Sequence, residues 1–193
     1  MHVSVRTAAI SEKTHVVDTI VAAFVSDPPC RWCWPIPHLY LTSMPKFVLA
    51  LGGRAFEHAS AYVTEDFYGA SLWLPPGVHP DEDALGSIAQ ETVAAAVRED
   101  LDDVLEQMAK SHPDEPHWYL PFIGVDPVHQ GKGHGSALLA HALQQCDRDR
   151  LPAYLEATSP QNAKLYERHG FEVVGKIQAG TSPPIVPMLR HPR

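Results

Sequence analysis

The sequence predicts an α/β (α+β) fold, with strands and helices arranged around one central sheet. Three observations lead to this prediction. The 193 residues suit a single domain, 1–193, with a core large enough to fold alone. Hydrophobic residues make up 45% of the chain and charged residues 20%, as in an ordinary globular protein. The spacing of apolar residues changes repeatedly between two and about 3.6, which indicates alternating strands and helices.

The first half of the chain is expected to begin with a strand and a helix and to end with a hairpin. Its elements are, in order, a strand over 3–7, a helix over 11–24, a proline-rich loop over 27–35, a helical segment over 39–58, and strands over 61–64 and 68–74. Pro45 and the pair Gly52-Gly53 are expected to break or kink the helical segment.

The second half contains a strand, a glycine-rich turn and a helix in direct succession. Residues 80–110 carry an apolar stripe typical of one long or two shorter helices, and their acidic opposite face is expected to be solvated rather than to attract a cationic substrate. The elements after it are a strand over 117–125, the turn over 126–135, a helix, a strand over 152–157, a short helix between Ser159-Pro160 and His169-Gly170, and strands over 171–174 and 185–189.

Charge and hydropathy exclude several classes of partner. Lys plus Arg total 15 against 23 for Asp plus Glu, a net charge of −8 that repels nucleic acid and anionic lipid. The longest apolar run near the N-terminus is 20–25, which is too short to span a membrane, and the opening residues lack the apolar centre of a signal peptide. We therefore expect a cytoplasmic protein that binds neither nucleic acid nor membranes.

The three cysteines do not indicate a disulfide framework or a metal site. Cys30 and Cys33 form a Cys-x-x-Cys pair, and Cys146 stands alone. A redox pair normally follows a strand and opens a helix, and a zinc site needs a second pair of ligands; neither context is apparent in the proline-rich segment. Two small, partly buried thiols and no metal are the expectation.

The glycine-rich turn predicts a site for an anionic ligand. Glycines between a strand and a helix allow backbone N–H groups to face a phosphate, and the helix dipole adds attraction. A nucleoside-triphosphate loop is excluded because Asp126 stands five residues before Gly131 and Gly133 follows Lys132. A dinucleotide fingerprint is excluded because Ser136 stands three residues after Gly133.

The motif that does fit is Gln130-x-x-Gly133-x-Gly135, which resembles the pyrophosphate loop of the GNAT superfamily of acetyltransferases. Three further motifs occur in the same order as in that superfamily: Ile123-Gly124-Val125-Asp126-Pro127, Asn162-x-x-x-Tyr166 and Glu167-Arg168-His169-Gly170-Phe171. Over residues 115–173 the chain resembles the puromycin N-acetyltransferase type. The resemblance implies a mixed, mostly antiparallel sheet with a splayed pair of strands and flanking helices. It also implies an acceptor-side half at 1–114, an acetyl-coenzyme A core at 115–175 and a C-terminal strand in 176–193.

Acetyl-coenzyme A is the cofactor that the resemblance implies. Its pyrophosphate would be held by N–H groups from Gly131 to Ser136, and its pantetheine arm would pair with the strand near Ile123. The residues expected to bind it are Ile123, Gly124, Val125, Gln130, Gly131, Lys132, Gly133, His134, Gly135, Ser136, Asn162 and Tyr166. Pro121 cannot donate to a ladder, so we expect it to mark a bulge that opens the cleft.

Tyr166 is the one residue to which the resemblance assigns a catalytic role, as an aid to thiolate departure. An attacking amine must lose a proton, but the strand at 117–125 contains no glutamate, so the general base is unassigned. Trp32 and Glu156 are candidate residues on the acceptor side, and Glu156 is equally compatible with a structural role. Trp34 and Tyr40 are further candidates for the acceptor pocket, although core packing is the commoner role for such aromatics.

The sequence therefore predicts an acetyl-coenzyme A-dependent N-acetyltransferase that acts on the amine of a small molecule by direct attack on the thioester. Two alternatives stay open. One is acetylation of a peptide or protein amine, and the other is a coenzyme A-binding sensor without catalysis. Whether the protein forms a homodimer is also left open.

Overall fold

A seven-stranded sheet forms the centre of the computed structural model, which describes residues 3–193. Its order is β1-β2-β3-β4-β5-β7-β6. The strands are β1 (Val5–Thr7), β2 (Ala61–Thr64), β3 (Gly69–Leu74), β4 (Trp118–Val125), β5 (Ala153–Ala157), β6 (Glu172–Val173) and β7 (Val186–Arg190). Strands β4 and β5 run parallel, and the other neighbours are antiparallel. The predicted mixed, mostly antiparallel α/β fold is confirmed.

Seven α-helices flank the sheet within the described residues. They are α1 (Lys13–Ala23), α2 (Pro28–Cys33), α3 (Pro37–Gly52), α4 (Glu82–Thr92), α5 (Ala95–Ser111), α6 (His134–Asp149) and α7 (Pro160–Arg168). The stretch at 80–110 is thus two helices. Between residues 3 and 193, no helix is both long enough and apolar enough to cross a membrane.

Two hydrophobic clusters lie on opposite faces of the sheet, as the alternation of side chains along a strand requires. On β3, Leu72 belongs to the cluster beneath α1 and α3, whereas its neighbour Trp73 belongs to the cluster beneath α6. On β5, Tyr154 belongs to the first of these clusters and Leu155 to the second. All four side chains are at most 1% exposed, so the sheet is buried on both faces at its centre.

Strands β4 and β5 separate after a short contact. They pair only at Trp118 with Ala153 and at Tyr119 with Tyr154. The register between β3 and β4 shifts in the same region, since Leu72 pairs with Phe122 but Leu74 pairs with Tyr119. Two residues of β4, one of them Pro121, therefore lie opposite one residue of β3, which is a β-bulge. The expected bulge at Pro121 is present, and a V-shaped opening follows it.

Helix α1 approaches the splayed half of β4 closely because β4 has a glycine there. A Cβ atom built on Gly124 would lie 2.5 Å from Cβ of Ala23, well inside the normal contact distance. The close approach brings the segment after α1 to the mouth of the opening. That segment contains Phe24 and Asp27.

The segment predicted as a proline-rich loop is instead the short helix α2, so this prediction was wrong. The Asp27 carboxylate accepts the Cys30 N–H at 3.1 Å, and prolines occupy the first helical positions. Aspartate followed by proline is a strong start signal for a helix, and it outweighs the expectation of a loop from proline content. All three cysteines are free, and Cys30 is buried.

Of the two predicted effects of Pro45, a break or a kink, the break does not occur. Helix α3 runs through Pro45, and Tyr40, Met44 and Val48 are buried along one face. Burial of this face offsets the cost of about 3 kcal/mol that a proline imposes on a helix interior. The helix does end at Gly52, where a 3-10 turn over Gly53–Phe56 takes over, as the glycine pair predicts.

Candidate functional site

A cleft of about 580 Å³ lies where β4 and β5 part. Its walls are the end of α1 with the segment after it, the end of β4, the glycine turn and α7 as far as its last residue, Arg168. Eleven of the twelve residues predicted to bind the cofactor line it. They are Ile123, Gly124, Val125, Gln130, Gly131, Gly133, His134, Gly135, Ser136, Asn162 and Tyr166.

The glycine turn presents backbone rather than side chains to the cleft. Gly131 and Gly133 have φ values of 74° and 94°, a left-handed conformation that L side chains rarely adopt. A Cβ atom on either glycine would have no neighbour within 4 Å, so it would project into open space. Glycine is required here for the backbone conformation and for close access to the backbone.

The N-terminus of α6 adds N–H donors to the same wall. Gly133 is its N-cap and provides no side-chain cap, and the first intrahelical bond runs from the Ala137 N–H to the Gly133 carbonyl. The N–H groups of residues 134–136 therefore lack an intrahelical partner, and these three residues line the cleft. Such a cluster of donors at the positive end of a 16-residue helix favours an anion.

Two side-chain bonds hold this wall in place. The Gln130 side-chain amide donates to the Val125 carbonyl at 3.2 Å, which ties the turn to the end of β4. Ser136 Oγ lies 2.7 Å from His169 Nε2, which ties the start of α6 to the end of α7. The wall is thus braced from both sides before any ligand enters.

The positive charge nearest the cleft comes from a residue that the sequence analysis did not select. Arg168 lines the cleft, whereas Lys132, which was predicted to bind the cofactor, does not. The Lys132 ammonium instead donates to the Val128 carbonyl at 3.2 Å on the exposed side of the turn. Arg168 follows Leu165, which also lines the cleft, by one helical turn, so the two side chains share one face of α7. Once that face is known to line the cleft, the spacing identifies Arg168.

Tyr166 presents its phenol to the cleft. The residue is 6% exposed, and its hydroxyl has no hydrogen bond to another residue between 3 and 193. Burial, with a smaller contribution from the charge of Asp27, raises its pKa. The phenol therefore keeps its proton at neutral pH and is available as a donor.

Asp27 is a buried carboxylate in the opposite wall, and it was not among the predicted site residues. It caps α2 through the Cys30 N–H, and it accepts a hydrogen bond from the Thr158 hydroxyl just after β5. Burial raises the pKa of Asp27, while the two hydrogen bonds act in the opposite direction. Thr158 lies 131 residues away in the sequence, so no local pattern could have revealed this pair.

The acceptor-side candidates lie outside the cleft wall. The Trp32 indole donates to the Thr181 hydroxyl at 3.1 Å. Glu156 lies on β5, two residues beyond the last pair with β4, and its side chain is 6% exposed. Trp34 and Tyr40 are 2% and 1% exposed and belong to the core, so neither lines an acceptor pocket.

A second groove, of about 510 Å³, borders the cleft between the start of β1 and the outer side of α6. It shares Gly133 and Ser136 with the cleft and is otherwise lined by residues such as Ala140, His141 and Gln144. The first cleft is the candidate active site, since that cleft alone, of these two, contains the free N–H groups of α6, Arg168 and Tyr166 together.

Comparison with known proteins shows that this chain is similar to acetyltransferases. An uncharacterized N-acetyltransferase of Schizosaccharomyces pombe is 28% identical over 90% of this chain and 77% of its own length. A crystal structure from Corynebacterium glutamicum, described as histone acetyltransferase HPA2 and related acetyltransferase, is 28% identical with a TM-score of 0.71 over 100% of this chain and 98% of its own. A mosquito arylalkylamine N-acetyltransferase-like protein shares the fold at 17% identity, with a TM-score of 0.66 over 98% of this chain and 100% of its own.

The family model for the acetyltransferase (GNAT) family matches residues 52–171, which is more than half of the chain and includes β4, the glycine turn and α7. The chain therefore belongs to the GNAT family of acetyltransferases, and it is an N-acetyltransferase.

Proposed function

We propose that the protein transfers the acetyl group of acetyl-coenzyme A to the amine of a small cationic molecule. One observation carries the proposal. The two left-handed glycines and the uncapped N-terminus of α6 open directly into the cleft between β4 and β5. GNAT enzymes use acetyl-coenzyme A, and a pyrophosphate is the kind of group that such a wall of N–H donors holds.

The residues present fit the cofactor. The N–H groups of 134–136 and the Arg168 guanidinium would hold the pyrophosphate, and the space beside Gly131 and Gly133 admits it without a side chain in the way. When bound, the cofactor supplies an acetyl thioester whose leaving group is a thiolate.

The edge of β4 would hold the arm that carries the thioester. Beyond Tyr119, β4 is paired with β3 on one side only, so its other edge has no strand partner as far as Val125. Ile123, Gly124 and Val125 line the cleft along this edge. Free N–H and C=O groups in an extended strand suit an amide-bearing ligand that binds like an added strand.

Tyr166 is proposed as the proton donor at the reacting end of the cleft. Its raised pKa keeps the phenol protonated, and its hydroxyl is not engaged by the residues around it. A phenol in this state can donate a hydrogen bond to a thiolate, and it cannot serve as a base at neutral pH. The general base must therefore be sought elsewhere.

A small amine is proposed as the acceptor because a structural neighbour is named for arylalkylamines and because the cleft wall contains one carboxylate, that of Asp27. Asp27 provides a buried carboxylate that would attract a cation. A peptide amine is the second candidate, since the Corynebacterium glutamicum relative is described as a histone acetyltransferase.

The test is thiol release from acetyl-coenzyme A in the presence of a panel of amines, with coenzyme A binding measured by calorimetry. The panel contains arylalkylamines, agmatine, polyamines, puromycin and lysine peptides. Saturable turnover of one or more small amines is expected. Preferential turnover of peptides favours the second candidate. Tight binding with no turnover of any amine contradicts the proposed reaction and favours a sensor.

A further inference from the structure

A chain of titratable side chains leads from the gap between β4 and β5 to the protein surface, and the catalytic assignments so far leave it unused. Oε1 of Glu156 lies 3.3 Å from Nε2 of His112. Nδ1 of His112 lies 3.3 Å from Nε2 of His117, and Nδ1 of His117 lies 2.8 Å from the Glu115 carbonyl.

Glu156 is a buried carboxylate with one unsatisfied oxygen. Its side chain is 94% buried, and Oε1 accepts no hydrogen bond from residues 3–193. A structural carboxylate in such a place would have donors, since leaving a buried acceptor unpaired costs about 1–3 kcal/mol or more. The free oxygen, Oε1, is therefore available to accept a proton or to bind an ammonium.

The position of Glu156 connects it to the reaction cleft. It lies two residues beyond Tyr154, where β4 and β5 have already separated. Thr158 directly follows the end of β5, and its hydroxyl binds Asp27 in the cleft wall. Glu156 therefore lies on β5 between the last pair with β4 and the residue that contacts the cleft wall.

The rings around His112 fix its position. Its imidazole is 4.7 Å from the ring of Tyr119 and 4.4 Å from that of Tyr154, measured between centroids. Burial, followed by the charge of Glu156 and by hydrogen bonding to its carboxylate, raises the pKa of both phenols, so each remains protonated and cannot accept a proton. With His117, these are the titratable groups that face the pair formed by Glu156 and His112.

Hydrogen-bond polarity then determines where each ring hydrogen resides. A carbonyl oxygen can only accept, so Nδ1 of His117 carries a hydrogen. Burial lowers the pKa of His117 and favours its neutral form, in which Nε2 is bare. Nδ1 of His112 must therefore donate to His117, and a neutral His112 has a bare Nε2 facing the free oxygen of Glu156. The chain has a place for one additional proton, between Glu156 and His112.

We propose that Glu156 removes the proton of the acceptor ammonium and passes it to Nε2 of His112, while His117 is a positioning residue that fixes the His112 tautomer. The ammonium N–H bond breaks, its electron pair stays on nitrogen as the attacking lone pair, and the proton moves to Oε1 and then to Nε2. His112, whose side chain is 30% exposed, releases it to water. The inference rests on the proposed function, because it requires an amine that arrives protonated.

Two amines test the proposal. One is the best alkylamine of the panel, which is protonated at pH 7, and the other is 2,2,2-trifluoroethylamine, which is largely neutral. In Glu156→Gln, kcat/KM for the alkylamine should fall at least about 100-fold at pH 7 and recover about tenfold per pH unit as neutral amine accumulates. For trifluoroethylamine the loss should stay below about threefold, because no proton needs to be removed before attack. His112→Gln should show the same pattern with a smaller loss.

Glu172→Gln and His58→Gln are the matched controls. Both residues are exposed, and neither belongs to the series of titratable side chains formed by Glu156, His112 and His117. A loss in Glu156→Gln that is equal for the two amines and constant with pH overturns the relay and leaves the proposed function intact. No turnover of any amine by the wild type overturns the proposed function and the relay together.

A spectroscopic measurement tests the tautomers without any turnover. Long-range ¹H–¹⁵N correlation spectra distinguish the two ring nitrogens of a histidine. For His117 we expect a hydrogen on Nδ1, which is the rarer tautomer in solution, and this assignment should persist in Glu156→Gln. If His117 instead carries its hydrogen on Nε2 and Nδ1 is bare, the proposed proton relay is contradicted, whatever the enzymatic activity.

Discussion

The two sides of the cleft recognise their ligands by different means. On the glycine-turn side the groups offered are backbone N–H donors at residues 134–136, held by left-handed glycines. On the opposite side the cleft offers a side chain, the Asp27 carboxylate, which Thr158 contacts from a distant part of the sequence, and Glu156 lies on β5 outside the cleft wall. Backbone N–H donors suit any phosphate group. Side chains can be substituted to suit different ligands without altering the fold.

The largest expected effect tests the backbone side. Gly133→Ala forces an L residue into a left-handed conformation and directs a methyl group into the cleft, so coenzyme A binding should weaken on the order of 100-fold. Gly77→Ala is the matched control, because Gly77 has φ 79° and equally open surroundings but lies outside the cleft. Calorimetry on both variants separates the two effects. Equal weakening in both would mean that backbone strain, and not the cleft, is responsible.

Tyr166→Phe addresses the reacting end of the cleft, where the two sides meet. Loss of the hydroxyl should reduce kcat at least about tenfold and leave coenzyme A affinity nearly unchanged, because the hydroxyl is needed only when the thiolate leaves. Steady-state kinetics together with calorimetry provide the measurement. Unchanged kcat would remove Tyr166 from the mechanism.

Arg168→Ala and Lys132→Ala compare a cation that lines the cleft with one that does not. Only Arg168 lines the cleft, so its removal should weaken coenzyme A binding roughly tenfold, which corresponds to about 1.5 kcal/mol for a hydrogen bond to a charged group. Lys132→Ala should have little effect, since its ammonium is bonded to the Val128 carbonyl on the exposed side. The reverse order would restore the role that the sequence pattern assigned to Lys132.

The smallest expected effect concerns the stability of the acceptor side. Burial raises the pKa of Asp27 in the folded state above 3.8, so the folded protein binds this proton more tightly than the unfolded chain does. The contribution of Asp27 to stability should therefore decrease as the pH rises from about 4 to 7, by about 1.4 kcal/mol for each unit of elevation. Urea unfolding of the wild type and Asp27→Asn over this range should show the variant gaining relative stability with pH. A difference that does not change with pH would contradict the raised pKa.

The sequence was sufficient for the parts of the site that depend on local backbone. Gly131 and Gly133 can be recognised because no other residue adopts their conformation easily, and Pro121 can be recognised because it cannot donate to a ladder. The start of α2 is also encoded locally, because Asp27 caps a helix that begins with two prolines, although the proline content of 27–35 is typical of a loop.

The parts that depend on packing could not be predicted. The contact of Asp27 with Thr158 and the chain from Glu156 to His117 require elements far apart in sequence to meet. Trp34 and Tyr40 were candidates for the acceptor pocket but are buried in the core. The sequence alone does not distinguish an aromatic residue that lines a pocket from one that packs in the core.

The unpaired edge of β4 has a further consequence for how the protein resists unfolding. An edge at the margin of a sheet invites a strand from another molecule, but this one lies inside the sheet, between the segment after α1 and the helix α7. A narrow, extended ligand can complete it, whereas a neighbouring protein cannot reach it easily. Since a ligand that binds only the folded state stabilises it by about 2.7 kcal/mol at 100 times its Kd, the melting temperature should follow coenzyme A concentration. The concentration of coenzyme A would then affect how long the enzyme stays folded as well as how fast it turns over substrate.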